Sequence, residues 1–316
     1  MKILIHNFFD QYLLEKLKQN FLIEQTDLYR PHDFGPRDHV VFLNVTDTET
    51  IKHYHDLGYK IIVSKFYDEL LDDPDGTFVK DNCLYLWSRD WFWINTAALV
   101  TKNQLNYIRP PSVPDHFFLL MMNLKRAHRD ELFEITKPYH GDSLYSYVEL
   151  GHYLPGDAPL SNTSIGTSHQ HHYNPDWYNK TMFSMVAETR VRWPAKSQTA
   201  RFVSEKIFKP LAFQHPLVVY GTHGTLDYLH EHGFETFDHV VDESYDDILD
   251  YDIRLEAIGM VLETLHERYQ QGEQLFSDSV SREKILHNYH NFYNTNKLNQ
   301  LWNQQIINPI REFVNA

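Results

Sequence analysis

The stretch Phe202-Val203-Ser204-Glu205-Lys206-Ile207-Phe208-Lys209-Pro210-Leu211-Ala212-Phe213-Gln214-His215-Pro216-Leu217-Val218-Val219-Tyr220-Gly221 reads as a helix, a proline stop, a short apolar strand and a glycine turn. Ser204 is placed to cap a helix over 204–214, with Glu205 and Lys206 in its first turn. A helix N-terminus favours anions because its free N–H groups and its dipole point at them. Lys206 adds a full positive charge at that end. Glu205 beside it does not suit phosphate alone; it suits a ligand that also offers hydroxyls, as a ribose does. The combination points to a nucleotide diphosphate, with a nucleotide sugar as one such ligand.

Outward from this stretch, strand and helix patterns alternate. Toward the N-terminus, strands are predicted over 2–7, 21–26, 39–45, 59–64 and 83–87, and helices over 10–20, 48–57 and 91–100. Asp10 would cap the first helix, with Leu13, Leu14 and Leu17 on its apolar face, and Gly58 would close the second. His39-Val40-Val41-Phe42-Leu43-Asn44-Val45 is apolar almost throughout, as a parallel strand covered on both faces should be. Arg109-Pro110-Pro111-Ser112-Val113-Pro114 then breaks the rhythm, since its prolines fit neither a helix interior nor a central strand. It reads as a linker between domains at 1–108 and 115–280.

After the linker the alternation restarts. A strand is expected over 117–122, a helix over 127–137, an irregular loop over 151–180 and a strand over 182–188. Beyond the Ser204 helix come a strand at 217–220, a helix over 225–231 closed by Gly233, a short strand at 235–237 and a long amphipathic helix over 253–270. Helical patterns at about 281–292 and 296–314 make a third region, 281–316, expected to pack back across the domains. Such β-α-β-α order implies parallel sheets with helices on both faces. Two such halves imply a ligand held between them, at the carboxyl ends of the strands.

The composition narrows the class. A chain of 316 residues buries roughly three quarters of its unfolded surface and needs no disulfide or metal to fold. Its single cysteine, Cys83, excludes a disulfide framework and a cysteine-based zinc site, and in an apolar strand it reads as inert. No run reaches the roughly 18 apolar residues of a membrane helix, and residues 1–6 look like a strand rather than a signal peptide. The expectation is a soluble, cytoplasmic protein. A net charge of −14 disfavours nucleic acid as a partner. The charge is uneven, however. Residues 190–209 hold six basic side chains against Glu205 alone, while 238–256 hold eight acids against Arg254 alone. This is either scattered surface charge or a basic cleft suited to phosphate.

Two further constellations bear on chemistry. Asn123-Leu124-Lys125-Arg126-Ala127-His128-Arg129 sits at a strand-to-helix turn, where cations oppose the helix dipole unless an anion is bound there. Phe183-Ser184-Met185-Val186-Ala187-Glu188-Thr189-Arg190 is an apolar strand ending in an acid. Glu188 could bind a sugar hydroxyl or pair with Arg190 or Arg192 at the surface. Ser168-His169-Gln170-His171-His172 reads as a polar loop rather than a metal tract. Trp87, Trp91, Phe92 and Trp93 read as core before they read as a stacking platform. Asp73-Pro74-Asp75 and Asp250-Tyr251-Asp252 match the letters of a metal motif but fall in a turn and beside a helix start. Neither Gly-x-Gly-x-x-Gly nor Gly-x-x-x-x-Gly-Lys-Ser/Thr is present.

Taken in order, Asn123-x-x-Arg126-x-x-Arg129, Glu188-Thr189, Ser204-Glu205-Lys206-Ile207 and the Pro216–Gly221 strand resemble the donor domain of GT-B glycosyltransferases. The similarity is to the α1,3-fucosyltransferase-like group, where the corresponding segments run roughly Phe-Glu-Asn/Thr and Val-Thr-Glu-Lys. Residues 224–246 look like uncharacterised bacteriophage and bacterial relatives; a phage-encoded chain would act in the host cytoplasm. The resemblance covers about 117–270. It implies an α/β fold of two Rossmann-like domains with a cleft between them and C-terminal helices. It also implies transfer of a sugar from a UDP- or GDP-sugar to an acceptor hydroxyl, metal-independent and inverting, with no separate cofactor. Lys206 and Arg129 would contact the diphosphate, with Lys125 or Arg126 as substitutes for Arg129. Glu205 would bind the ribose and Glu188 would face the sugar. Ser204 stands where Thr is usual, and both can cap a helix. A general base would come from the first domain; Asp47, Asp68 and Asp90 are candidates, with Asp90 taken first. The acceptor would be a glycan, a protein or a small molecule, or a hydroxymethylated DNA base if the chain is viral. A binding protein without transfer activity is the alternative.

Overall fold

The computed structural model describes residues 2–6, 11–25, 39–43, 48–64, 78–80, 82–86, 90–102, 109, 113–155, 174–192 and 201–316. Asp10, the side chain of Leu13, Asp47, Asp68, Asp73-Pro74-Asp75, Trp87, Pro110-Pro111-Ser112, Ser168-His169-Gln170-His171-His172 and Lys196 lie outside the described residues. The chain divides into two compact units, Met1–Ala98 with Asn294–Ala316, and Leu99–Tyr293. Both are α/β and each is built on a parallel sheet, so the expected class of two Rossmann-like halves is what the chain adopts.

The first unit runs β1 (Lys2–His6), α1 (Gln11–Lys18), β2 (Ile23–Gln25), β3 (His39–Leu43), α2 (Thr48–Asp56), β4 (Lys60–Ser64), β5 (Phe78–Lys80), β6 (Cys83–Leu86) and the start of α3 (Trp91–Lys102). Its sheet has the order β2-β1-β3-β4-β6-β5, with only β5 antiparallel to its neighbour. β3 shows why so continuous an apolar run is needed. Val40 and Phe42 face one core with Leu14, Leu17, Trp91 and Ile94, while Val41 and Leu43 face a second with Tyr54, Ile61 and Val63. Successive side chains of a strand point to opposite faces, so a strand covered on both sides can spare no polar position. Trp91 and Trp93 are fully buried, as the core reading expected, and so is Cys83.

The first core is completed by the far end of the chain. α10 (Thr295–Trp302) and α11 (Asn308–Asn315) are joined by a π-helical turn, Asn303–Ile307. Trp302, Ile306, Ile307, Ile310 and Phe313 pack among Ile3, Phe42 and Leu86.

The second unit comprises β7 (His116–Met122), α4 (Ala127–Thr136), β8 (Leu144–Tyr147), α5 (Pro175–Lys180), β9 (Thr181–Ala187), α6 (Glu205–Ala212), β10 (Leu217–Tyr220), α7 (Thr225–Glu231), α8 (Tyr251–Gln270) and α9 (Ser279–Phe292). All four strands are parallel, in the order β10-β9-β7-β8. The chain starts in the middle of this sheet, steps outward to β8, then returns past β7 to lay down β9 and β10. Strand order therefore reverses between β7 and β9. In doubly wound sheets, ligands bind at the carboxyl ends of the two strands flanking such a point.

Three expectations need correction. Residues 144–147 form an edge strand where none was predicted; Leu144-Tyr145-Ser146-Tyr147 is short and half polar, yet its backbone pairs with β7. The loop expected over 151–180 ends early, because Asn174 accepts a hydrogen bond from Asp176 N and starts α5 with Pro175 in its first turn. The strand expected at 235–237 is absent. Glu235 N donates to Asn288 Oδ1 and Phe237 N to Glu243 Oε1, both at 2.7 Å, so side chains supply the acceptors a neighbouring strand would have given. Among the described residues no helix is long and apolar enough to cross a membrane.

Candidate functional site

β7 ends at Met122 and β9 at Ala187, so the segments that leave them, 123–129 and 188–192, emerge side by side where the strand order reverses. The N-terminus of α6, reached from β9, joins them. Ser204 caps α6 with extended backbone, and its Oγ accepts from Lys206 N at 3.4 Å.

Glu188 is the hub. Its carboxylate is fully buried. Oε1 accepts from Ser204 N at 2.9 Å; Oε2 accepts from Ser204 Oγ at 2.5 Å and from Thr189 N at 3.0 Å. Burial pushes this carboxyl above its usual range, against the pull of Lys206 and Ser204. The Glu188 carbonyl accepts from His128 Nε2 at 3.0 Å, and a carbonyl can only accept, so Nε2 carries the ring proton. Burial brings the His128 ring down to about 4, with Arg129, Arg126 and Arg192 adding to the effect, and the ring is neutral near pH 7.

The cations gather on the neighbouring residue. Lys206 Nζ donates to Thr189 Oγ1 at 2.9 Å, to Ser204 Oγ at 3.2 Å and to Glu205 Oε1 at 2.7 Å. An Arg126 guanidinium nitrogen donates to the Thr189 carbonyl at 3.4 Å. The turn after β7 and the turn before α6, distant in sequence, thus converge on the single peptide Glu188-Thr189. Lys125, the third cation of that turn, lies further out, its ammonium 3.9 Å from Asp130 and its N–H held by Glu149.

Arg129 is buried, and one of its terminal nitrogens donates to Leu124 O at 2.9 Å, which braces the turn. Its Nε has no partner among the described residues. Burial and Arg126 lower its pKa, opposed by Glu188, Tyr147 and Glu205. A buried guanidinium with an unmatched donor, beside two further cations, is a site short of negative charge. Glu205 supplies part of it. Burial pushes its carboxyl up, but Lys206 and Lys209 prevail and bring it down to about 2, so it is ionised. Lys209, one helical turn along α6, is itself buried, and burial lowers it to about 8 despite Glu205.

Beside this cradle, over the ends of β9 and β10, lies a cavity of about 350 Å³. It is lined by Val191, Arg192, Thr222, His223, Leu249, Asp250, Tyr251 and Arg254. The Arg192 guanidinium lies 4.5 Å from the centre of the Tyr251 ring. Arg254 is held by the carbonyls of Val191 and Ile248. Asp250 caps α8 through Asp252 N and Ile253 N, so the Asp250-Tyr251-Asp252 letters serve a helix start. No group of three or more metal-ligating side chains is gathered among the described residues.

Of the residues singled out from sequence, Arg126, Arg129, Glu188, Ser204, Glu205 and Lys206 are assembled at this one place. Asp90 belongs to the first unit. It is buried, and its Oδ2 accepts from Gln305 Nε2 of the π-helical turn at 2.5 Å. Sequence reading assigned no part to Thr189, whose signal was a hydroxyl at a strand's carboxyl end. It also gave none to Tyr147, at the end of the unexpected β8. Tyr147 OH donates to Asp130 Oδ1 at 2.7 Å and lies 3.4 Å from Arg126 N.

No protein-family model matches the chain, and no curated protein does. Among solved structures it is similar to the DNA modifying enzyme β-glucosyltransferase, determined in the presence and absence of the substrate uridine diphosphoglucose. The likeness has 10% sequence identity, covers 100% of both chains and has a TM-score of 0.48.

Proposed function

We propose that the second unit binds a nucleoside diphosphate sugar and that the chain is a glycosyltransferase moving that sugar to an acceptor hydroxyl. The observation that carries the reading is the convergence of Arg126 and Lys206 on Glu188-Thr189 at the sheet's reversal point, with the unmatched Arg129 Nε behind them. A diphosphate offers several anionic oxygens to match cations held a few ångströms apart. Glu205, ionised at the mouth of α6, suits the paired hydroxyls of a ribose. The adjoining cavity, with the Arg192–Tyr251 pair on its wall, has room for the base.

In transfer, the bond between the sugar's anomeric carbon and the diphosphate breaks as the acceptor oxygen attacks. The negative charge arriving on the leaving diphosphate is met by Lys206, Arg126, Arg129 and the α6 dipole, a role a metal ion takes in other transferases. Attack from the face opposite the leaving group inverts the anomeric centre. The acceptor proton needs a base, for which Asp90 is the candidate. The acidic chain suits a glycan, protein or small-molecule acceptor better than DNA.

One observation favours a second reading, a nucleotide-sugar-binding protein without transfer activity. The proposed base Asp90 is buried and already hydrogen-bonded to Gln305. Calorimetry with a panel of UDP- and GDP-sugars, followed by assays of donor hydrolysis and transfer, separates the two. Absence of binding to every nucleotide at millimolar concentration sinks both. Binding without turnover selects the second.

A further inference from the structure

The resemblance implies that Glu188 faces the donor sugar, but its geometry points elsewhere. The carboxylate has no exposed surface and accepts three hydrogen bonds from within the protein. All three come from Ser204 and Thr189, and the hydroxyls of those same two residues hold the Lys206 ammonium. We infer that Glu188 is a positioning residue: it fixes Ser204 and Thr189 so that both hydroxyls present lone pairs to Lys206, and it does not itself touch the ligand.

The polarity of the hydrogen bonds makes the case. A serine hydroxyl has one proton to give. Here Ser204 gives it to Glu188, at 2.5 Å. Its oxygen therefore faces Lys206 only as an acceptor, toward the amide at 3.4 Å and the ammonium at 3.2 Å. Without the carboxylate the hydroxyl rotor is free, and its proton can swing toward the ammonium. The same carboxylate holds Thr189 by its backbone N–H, which fixes where Thr189 Oγ1 and the Thr189 carbonyl lie. Those two oxygens hold Lys206 and Arg126 respectively. One buried side chain thus sets the place of both cations.

Glu188→Gln makes the sharp test. A glutamine keeps the shape but has one acceptor oxygen instead of two, and its NH2 must face either Ser204 N–H, or Ser204 Oγ and Thr189 N–H together. With the NH2 at the Oε2 position, Ser204 accepts from the amide, its own proton turns toward Lys206 and Thr189 N–H is opposed; with it at the Oε1 position, Ser204 N–H is opposed instead.

The experiment is a double-mutant cycle read by calorimetry with inorganic pyrophosphate, on the full chain, using wild type, E188Q, K206A and E188Q/K206A. The ligand rests on the reading above; the positioning does not. Pyrophosphate carries no sugar, so a sugar contact cannot contribute. The expected result is that E188Q weakens binding about tenfold, the scale of one charge-assisted hydrogen bond, while adding E188Q to K206A weakens it by clearly less than that, the remaining loss passing through Arg126. In the ligand-free protein the ¹⁵Nζ signal of Lys206 should shift in E188Q. A residue that merely stabilised the fold would lower the unfolding temperature and leave that signal in place. If E188Q fails to fold, Ser204→Ala replaces it in the same cycle, with the same lack of additivity expected. Losses that add, or a Lys206 signal unchanged in E188Q, overturn the inference. Wild-type protein that binds no pyrophosphate contradicts the diphosphate site instead, and the Lys206 signal still decides the positioning.

Discussion

Lys206 sits where three influences on an anion coincide: the dipole at the α6 N-terminus, its own ammonium, and the guanidinium of Arg126 brought in from another turn. Its ammonium is tethered to oxygens of Thr189, Ser204 and Glu205, which holds it in place before a ligand arrives. Preorganised charge of this kind is worth more in a transition state than charge that must be gathered. Lys206→Ala should therefore lower turnover of the donor by about 10²–10³-fold, measured as kcat with saturating nucleotide sugar. Turnover within a factor of two of wild type contradicts the leaving-group role. Most of these residues were legible in the sequence. Ser204-Glu205-Lys206 announces a capped helix carrying charge, and Arg126 and Arg129 announce a turn that wants an anion. The part played by Thr189 was not legible, because it depends on which residue β9 presents beside α6. Nor was the burial of Glu188: an acid at a strand end reads equally well as a surface group.

α6 and α7 show how elements of this unit borrow their ends from elsewhere. α6 is capped by Ser204, and Ser204 is held by Glu188 of the preceding strand end. α7 begins at Gly224 with no cap from its own side chains; Leu226 N instead donates to Asp246 Oδ2 at 2.7 Å. Burial raises the Asp246 carboxyl to about 7, against the pull of that bond and of Arg254. The folded protein then holds this proton more tightly than the unfolded chain. The stability the group contributes is full below about pH 4 and is lost as pH rises through about 7. Asp246→Asn keeps the acceptor and removes the titration. Urea denaturation should show wild type losing about 1–4 kcal/mol relative to D246N between pH 4 and pH 7.5. Parallel curves for the two proteins would rule out the shift.

At this scale the sequence is legible where its local pattern is strong, as an unbroken apolar run, an amphipathic stretch or a capped helix start. β3, α8 and the α6–β10 pair stand within a few residues of expectation. It was read poorly where tertiary partners decide. β8 is a strand because β7 offers it an edge, and 235–237 is not one because Asn288 and Glu243 reach its amides first.

Across the whole molecule, both sheets carry one pattern. β2-β1-β3-β4 in the first unit and β8-β7-β9-β10 in the second have the same order, with strands parallel throughout these eight. The alternation of strand and helix foretold this class; the division at 98–99 falls within α3, ahead of the proline-rich segment at 109–114. Which unit the last helices complete was not legible, because an amphipathic helix does not name its partner. Residues 294–316 cluster with the first unit, where Ile306 is fully buried. Ile306→Ala should cost about 2–5 kcal/mol of stability, read by denaturation, while the affinity of the second unit for pyrophosphate stays within twofold. Loss of pyrophosphate binding in folded I306A would tie the site to the first unit.

The central claim is that two turns, one leaving β7 and one entering α6, hold a single diphosphate at the reversal point of the second sheet. The direct measurement is a crystal structure of the chain with UDP or GDP at millimolar concentration. The account predicts the diphosphate oxygens within about 3 Å of both Lys206 Nζ and the Arg126 guanidinium, with the base toward Tyr251. A nucleotide bound away from these side chains, or touching one turn and not the other, contradicts it.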